Sequence, residues 1–256
     1  VAKLVWDHTV HYVNDLEEAR QHFEQQGITA FHGGSHKQWG THNVLSYFDL
    51  TYLEFLGVEN RELAESITDP NQVVKDAVDW LPSDEGLSRV ALRTNDIEAV
   101  RKQLIMHGIN ASPIMPGKRY NAQNQLIEWK MMTISGDFQG LIYPFVIEWS
   151  DPDPDRYKML KENGVISEHS LGQLTMSEAI YFVPDPEMTV NHWSTIFSIE
   201  KTSPTSLKLG NQTFIFKQGK EAALKELVLD GSVDQLIEMN GARYRIRSEH
   251  DNHDHS

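Results

Sequence analysis

TYLEFLGVEN, residues 51–60, reads as a strand with a carboxylate in the middle of its apolar alternation. Leu53 and Phe55 take one face; Tyr52, Glu54 and Leu56 take the other. Burying an unpaired charge is costly, so Glu54 must be solvated, paired or bound to a cation. Two more apolar stretches carry an ionisable residue in the same way. LVWDHTVHYV, residues 4–13, sets His8 on one face with Trp6, Val10 and Tyr12. LIYPFVIEW, residues 141–149, carries Glu148, and alternation sends Trp149 to the opposite face, toward helices. Fold and function both turn on whether these three residues converge.

The chain of 256 residues is long enough for a sizeable core, and 39% of it is hydrophobic. Lys and Arg number 23 against 37 Asp and Glu, a formal charge of −14, which argues against nucleic-acid partners and, more weakly, against anionic membranes. The absence of cysteine excludes disulfides, thiolate nucleophiles and Cys-based zinc sites. It fits a reducing compartment, and the start VAKLVWDH carries no charged-then-apolar leader, so a cytoplasmic protein is expected. No GxSxG, P-loop or GxGxxG is present.

Outward from the first strand, residues 15–27 (DLEEARQHFEQQG) have helical spacing, with Asn14 or Asp15 as cap and Gly27 as stop. A short strand at 28–31 follows. HGGSHKQWGTHN, residues 32–43, then reads as an irregular connection, and residues 44–49 as a strand leading into the Glu54 strand. Residues 61–86 read as a connector holding a helix at 71–81. The order then repeats: strand 87–94, helix 96–107, a strand beginning at 109–113, a polar loop at 116–125, and strands at 126–134 and 141–149. DHTVHYVNDLEEA lines up with RVALRTNDIEAV, an internal repeat of about eighty residues. DPDPD, residues 151–155, is a proline break. Beyond it come a strand at 170–183, a helix at 186–197, a hairpin at 206–216, a helix at 220–229 and a strand at 235–247. The expected organisation is α+β: units at 1–60 and 87–150, the connector 61–86, a C-terminal α+β region at 151–248 readable as a partial third unit, and a His/Asp-rich disordered tail at 249–256.

Two strand–helix–strand–strand–strand units with His in an opening strand and Glu in closing strands resemble the vicinal oxygen chelate superfamily, which includes glyoxalase I, extradiol dioxygenases and bleomycin resistance proteins. WDHTVHYVNDLEEA, GGSHKQWGTHN, TYLEFL and PFVIEW look most like bacterial glyoxalase-like domain proteins without a settled activity. The resemblance covers residues 4 to about 150. It implies paired βαβββ units that form a curled mixed sheet around a cleft. It also implies a divalent ion (Mn, Fe, Ni or Zn) held from the first and last strand of each unit, here by His8, Glu54 and Glu148. The fourth expected position is Arg89, which cannot ligate a metal, so a histidine from His32, His36 or His42 would be needed for an iron site of two histidines and a carboxylate.

Two functions stay open on this reading. One is a metal-dependent lyase, isomerase or dioxygenase on a small oxygenated metabolite, with Glu54 and Glu148 moving the proton and Arg89 binding an anionic substrate. The other is a metal-free module that sequesters a small molecule, Arg89 neutralising the two glutamates. In both, the loop would present His36, Trp39, His42 and Asn43 to the cleft. Trp129 and Trp149 read as core, Lys118 and Arg119 as a solvated basic turn or a second anion contact. A homodimer is compatible with the pattern.

Overall fold

The computed structural model describes residues 2–249. The first unit is β1 (Val5–Tyr12), α1 (Leu16–Gln25), β2 (Phe31–His36), β3 (Thr41–Phe48) and β4 (Thr51–Val58). The connector holds α2 (Arg61–Ser66) and α3 (Gln72–Trp80). The second unit is β5 (Gly86–Arg93), α4 (Ile97–Met106), β6 (Met115–Tyr120), β7 (Leu126–Met132), a small hairpin of β8 (Asp137–Phe138) and β9 (Leu141–Ile142), and β10 (Phe145–Trp149). These make one eight-stranded mixed sheet, ordered β2-β3-β4-β1-β5-β10-β7-β6. Asp15 and Asp96 cap α1 and α4 through their side chains, which is why NDLEEA and NDIEAV read alike.

The sheet curls until its edges nearly meet. Gln38 Nε2 donates to the Pro116 carbonyl at 3.0 Å, and Arg119 Nη1 to the Gly33 carbonyl at 3.2 Å. Here the structure corrects two expectations. Residues 32–43 are a β-hairpin, β2 to β3, and residues 116–125 hold β6 and its turn. The glycines of HGGSH serve close approach within a bulged strand: a Cβ on Gly33 would overlap Asn43 Oδ1, and one on Gly34 would lie 2.6 Å from the Tyr120 carbonyl oxygen.

After α5 (Asp153–Glu162) come β11 (Thr175–Val183), α6 (Pro186–Phe197), β12 (Glu200–Ser203), β13 (Ser206–Leu209), β14 (Gln212–Gln218), β15 (Ala223–Gly231), β16 (Gln235–Met239) and β17 (Ala242–Ser248). The second sheet, β12-β13-β14-β11-β15-β17-β16, repeats the order and pairing senses of the first without the counterpart of β6. The C-terminal region thus contains a whole third βαβββ unit, β11 to β14, and three strands of a fourth. The helix expected at 220–229 is strand β15. EAALKELVL has good helix formers, but β15 is the antiparallel partner of β11, as β5 is of β1, and Leu224, Leu227 and Leu229 bury into the core, so pairing overrides propensity. The proline break, in turn, opens α5, with a proline in its first turn. The expected tail lies outside the described residues except for Glu249.

One apolar core joins the two sheets. Leu53, Phe55, Val90 and Leu92 from the first share it with Leu227, Phe214 and Tyr244 from the second. Trp6 packs edge-on against Phe214 with centroids 5.2 Å apart. His11 crosses the same junction, Nε2 donating to the Asn240 carbonyl at 2.8 Å and Nδ1 accepting from Tyr244 Oη at 2.5 Å. The opposite face of the first sheet is partly filled by α3, whose Val73, Val74 and Ala77 pack on Val10, Tyr12 and Leu56. What α3 leaves open is the cleft. Among the described residues no helix is long and apolar enough to cross a membrane.

Candidate functional site

A bulge in β1 builds the floor. Pairing with β5 slips between Trp6 and His8, so Trp6 joins the inter-sheet core while His8 faces the cleft. This corrects the face assigned to Trp6: simple alternation fails at an inserted residue. The residue between them, Asp7, is fully buried. Its Oδ2 lies 2.6 Å from His8 Nδ1, and its Oδ1 accepts from Arg93 Nη1 at 2.7 Å and Trp149 Nε1 at 3.1 Å. Burial pushes the Asp7 carboxyl upward, but the His8 hydrogen bond and the charges of His8, Arg156 and Arg93 outweigh it and hold the group well below the usual carboxylate range. An ionised Asp7 fixes the proton of His8 on Nδ1 and turns Nε2 into the cleft.

There Nε2 lies 3.7 Å from Glu54 Oε1. The other carboxylate oxygen accepts from Asn43 Nδ2 at 2.7 Å. Asn43 in turn lies beside His36, whose Nδ1 is 2.9 Å from Thr41 Oγ1. Burial pushes His36 down to about 4, so this ring is neutral at pH 7. One polar chain therefore runs Asp7–His8–Glu54–Asn43–His36–Thr41 across β1, β4, β3 and β2. Its rim depends on Gly33. Replacing Gly33 with Ala should displace Asn43 and lower stability by about 1–3 kcal/mol, read as a drop in the urea midpoint; an unchanged midpoint would mean that Asn43 moves freely.

The walls are aromatic. Tyr52 stacks on His8 at 4.5 Å, and Phe145 meets His8 edge-on at 5.4 Å. Trp39, Trp129 and Trp149 form the mouth, Trp129 lying 6.5 Å from Trp39 and 5.6 Å from Trp149. The cleft is narrow, and the roughly 520 Å³ of empty space in and around it includes open solvent.

His8, Glu54, His36, Trp39 and Asn43 thus line one cavity. Glu148, Arg89 and His42 do not. In β10 the residues facing the cleft are Phe145, Ile147 and Trp149, while Glu148 points to the helix side. Its Oε1 accepts from the Ile97 amide at the start of α4 at 3.3 Å, a favourable place for a carboxylate at a helix N-terminus, and Oε2 lies 3.8 Å from Lys130. The parity assigned to Glu148 and Trp149 is therefore reversed. The physical reason is that both faces of β10 are buried, so its sequence carries no inside–outside signal. Arg89 is sequestered too: Nε donates to Asp76 of α3 at 2.7 Å and Nη1 to the Ile134 and Tyr143 carbonyls at 3.1 and 2.9 Å. It pairs with neither glutamate. His42 sits on the other face of β3, 3.8 Å from Glu59. Trp129 and Trp149, expected in the core, are cleft walls, and Arg119 lies at the cleft rim. Arg156 was not anticipated, since only the closed fold brings it over Trp149; Asp7 is the partner expected for a buried His8, beside it in the chain.

The donor set does not fit the divalent ion that the resemblance implies. His8 Nε2 and Glu54 Oε1 converge, but the second unit offers Ala91, Phe145 and Ile147 on this side of the sheet. Asp7 is spent on its own partners. Among the described residues no three His, Cys, Asp or Glu side chains are grouped to hold a metal, whereas catalytic metal sites use about three protein donors.

The Glyoxalase-like domain family model matches residues 6–197. A crystal structure of a hypothetical protein from Staphylococcus aureus superposes with a TM-score of 0.82 at 24% identity, over 96% of this chain and 99% of the other. A mutant of 4-hydroxymandelate synthase from Streptomyces coelicolor aligns with a TM-score of 0.58 at 11% identity, over 92% of this chain and 72% of that one. Both likenesses are of fold. No curated protein matches the chain. With the family match running from the strand of His8 through the helix of the third unit, the chain belongs to the glyoxalase-like domain family.

Proposed function

We propose that the cleft is a metal-independent small-molecule site in which Glu54, steered by Asn43 and backed by the Asp7–His8 pair, takes a hydrogen bond or a proton from the ligand. The observation that carries this reading is the makeup of the second unit's contribution. Where the resemblance calls for ligands, the strands β5 and β10 bring apolar side chains and an arginine already bound to Asp76. The ligand then contacts tryptophan faces on one side and one carboxylate on the other, a combination that suits a planar body with a hydrogen-bond donor or an acidic C–H.

The Asp7–His8 contact favours chemistry over mere sequestration. A carboxylate held by Asn43 and faced by a histidine that a second, buried carboxylate orients is an arrangement suited to general acid–base catalysis. In an isomerase or lyase step, a C–H proton would pass to Glu54 Oε1 and be returned to another carbon or to a leaving oxygen, with His8 stabilising the charge that changes on Glu54. A dioxygenase reaction would need a redox metal that two donors do not hold.

Elemental analysis tests the reading, on tag-free protein lacking residues 250–256 and incubated with manganese, iron, nickel and zinc in turn. The expected content is far below one equivalent. About one equivalent of any of them, lost in Glu54→Ala, would overturn the metal-free reading.

A further inference from the structure

A second cavity opens beside the cleft, between α5, the β2–β3 edge and the β6–β7 turn, with about 1050 Å³ of empty space counted to solvent. Trp149 and Arg119 line both cavities and form the partition between them. Arg156 of α5 also lines the second one. It is 4% exposed. Its guanidinium carbon lies over Trp149, 4.1 Å from the ring centroid. The nearest carboxylate, Asp7 Oδ1, is 3.9 Å from Nη1, beyond hydrogen-bond distance, and already serves Arg93 and Trp149. Nη1 is buried with no hydrogen-bond partner among the described residues.

A guanidinium carries five N–H donors and cannot discharge itself by losing a proton. Leaving one buried and short of partners is costly, and native proteins do so rarely, each case calling for a physical reason such as an ordered water, an ion or a ligand. The surroundings suit an anion with an apolar body. Arg119 spends one bond on the Gly33 carbonyl and brings a second guanidinium to the wall. Tyr47, Leu45, Ile127 and Leu160 supply apolar surface. The other arginines near the cleft are committed, Arg89 to Asp76 and Arg93 to Asp7 and Asp153.

We infer that this cavity is an anion-binding subsite, in which Arg156 and Arg119 hold the carboxylate or phosphate of an organic ligand whose apolar part lies against Tyr47 and Leu160. The ligand reaches Trp149, the wall shared with the cleft. The inference stands apart from the metal-free reading: a metal found at Glu54 would end that reading and leave this one untouched.

The test is calorimetric titration of the full chain with phenyl phosphate, benzoate and phenol at constant ionic strength, followed also by tryptophan fluorescence. Phenyl phosphate or benzoate should bind at least about tenfold more tightly than phenol, and the preferred anion tells phosphate from carboxylate recognition. Arg156→Gln should lower anion affinity about tenfold or more with little effect on phenol. Since Arg156 is buried near Asp7, Arg119→Gln at the rim provides a second variant, expected to weaken the same anions severalfold while folding normally. Equal affinity for phenol and the anions would overturn the inference. So would no binding of either anion at about 10 mM, or unchanged anion affinity in both variants.

Discussion

Asp7→Asn should lower the unfolding free energy by about 3–5 kcal/mol, the cost of leaving buried charges without their counterion. Asp7 is the shared acceptor for Arg93, Trp149 and His8, with Arg156 at 3.9 Å. The amide keeps the shape and loses the charge. Arg93 retains Asp153, an exposed partner at 3.0 Å, while Arg156 has no other acidic partner among the described residues. For a chain of this length the loss corresponds to about 10 °C in Tm. Urea unfolding at pH 7 measures it. A loss under about 1 kcal/mol would show that Asp153 suffices for Arg93 and that Arg156 tolerates isolation. The same substitution frees His8 Nδ1, so ligand binding in the cleft should weaken even in the fraction that remains folded.

Acid should destabilise the fold well before its carboxylates titrate. Burial pushes both His11 and His36 down to about 4. An unfolded histidine takes up its proton near 6.5. Between about 6.5 and 4, therefore, the unfolded chain holds more protons than the native one, and stability falls as pH falls. Each histidine contributes about 3 kcal/mol over that window. His42, His169 and His192 are shifted downward by partial burial and add to the same slope. His11 matters most for architecture, because its neutral tautomer satisfies both Tyr244 and Asn240 across the two sheets. Urea midpoints measured from pH 7 to pH 4.5 should decline steadily, and His11→Gln should flatten the curve. Constant stability over this range would mean that these rings are accessible to protons in the native state.

Much of the architecture was legible in the chain. Apolar residues at helical spacing in 15–27 and 96–107 placed α1 and α4, and the match of DHTVHYVNDLEEA to RVALRTNDIEAV exposed the repeat. Strand β4 behaves as its alternation says, with Leu53 and Phe55 in the inter-sheet core and Glu54 in the cleft, because its two faces meet different surroundings. His8, Glu54, His36, Trp39 and Asn43 were likewise recognisable as polar or bulky residues in places that a plain core does not explain.

The remainder was decided by tertiary structure. A one-residue bulge in β1 moved Trp6 out of the face of His8 and brought Asp7 into contact with it, and no sequence pattern marks that insertion. In β10, buried on both sides, alternation could not say which of Glu148 and Trp149 looked inward. The glycines of HGGSH have the composition of a loop, yet they make room for Asn43 and the opposite sheet edge. EAALKELVL has the composition of a helix, yet pairing with the free edge of β11, whose other edge holds β14, made it a strand. Local sequence determines what forms of itself, caps and alternating faces. Sheet curvature, the fate of Arg89 against Asp76, and the isolation of Arg156 over Trp149 depend on residues far apart in the chain, so only the closed sheet decides them.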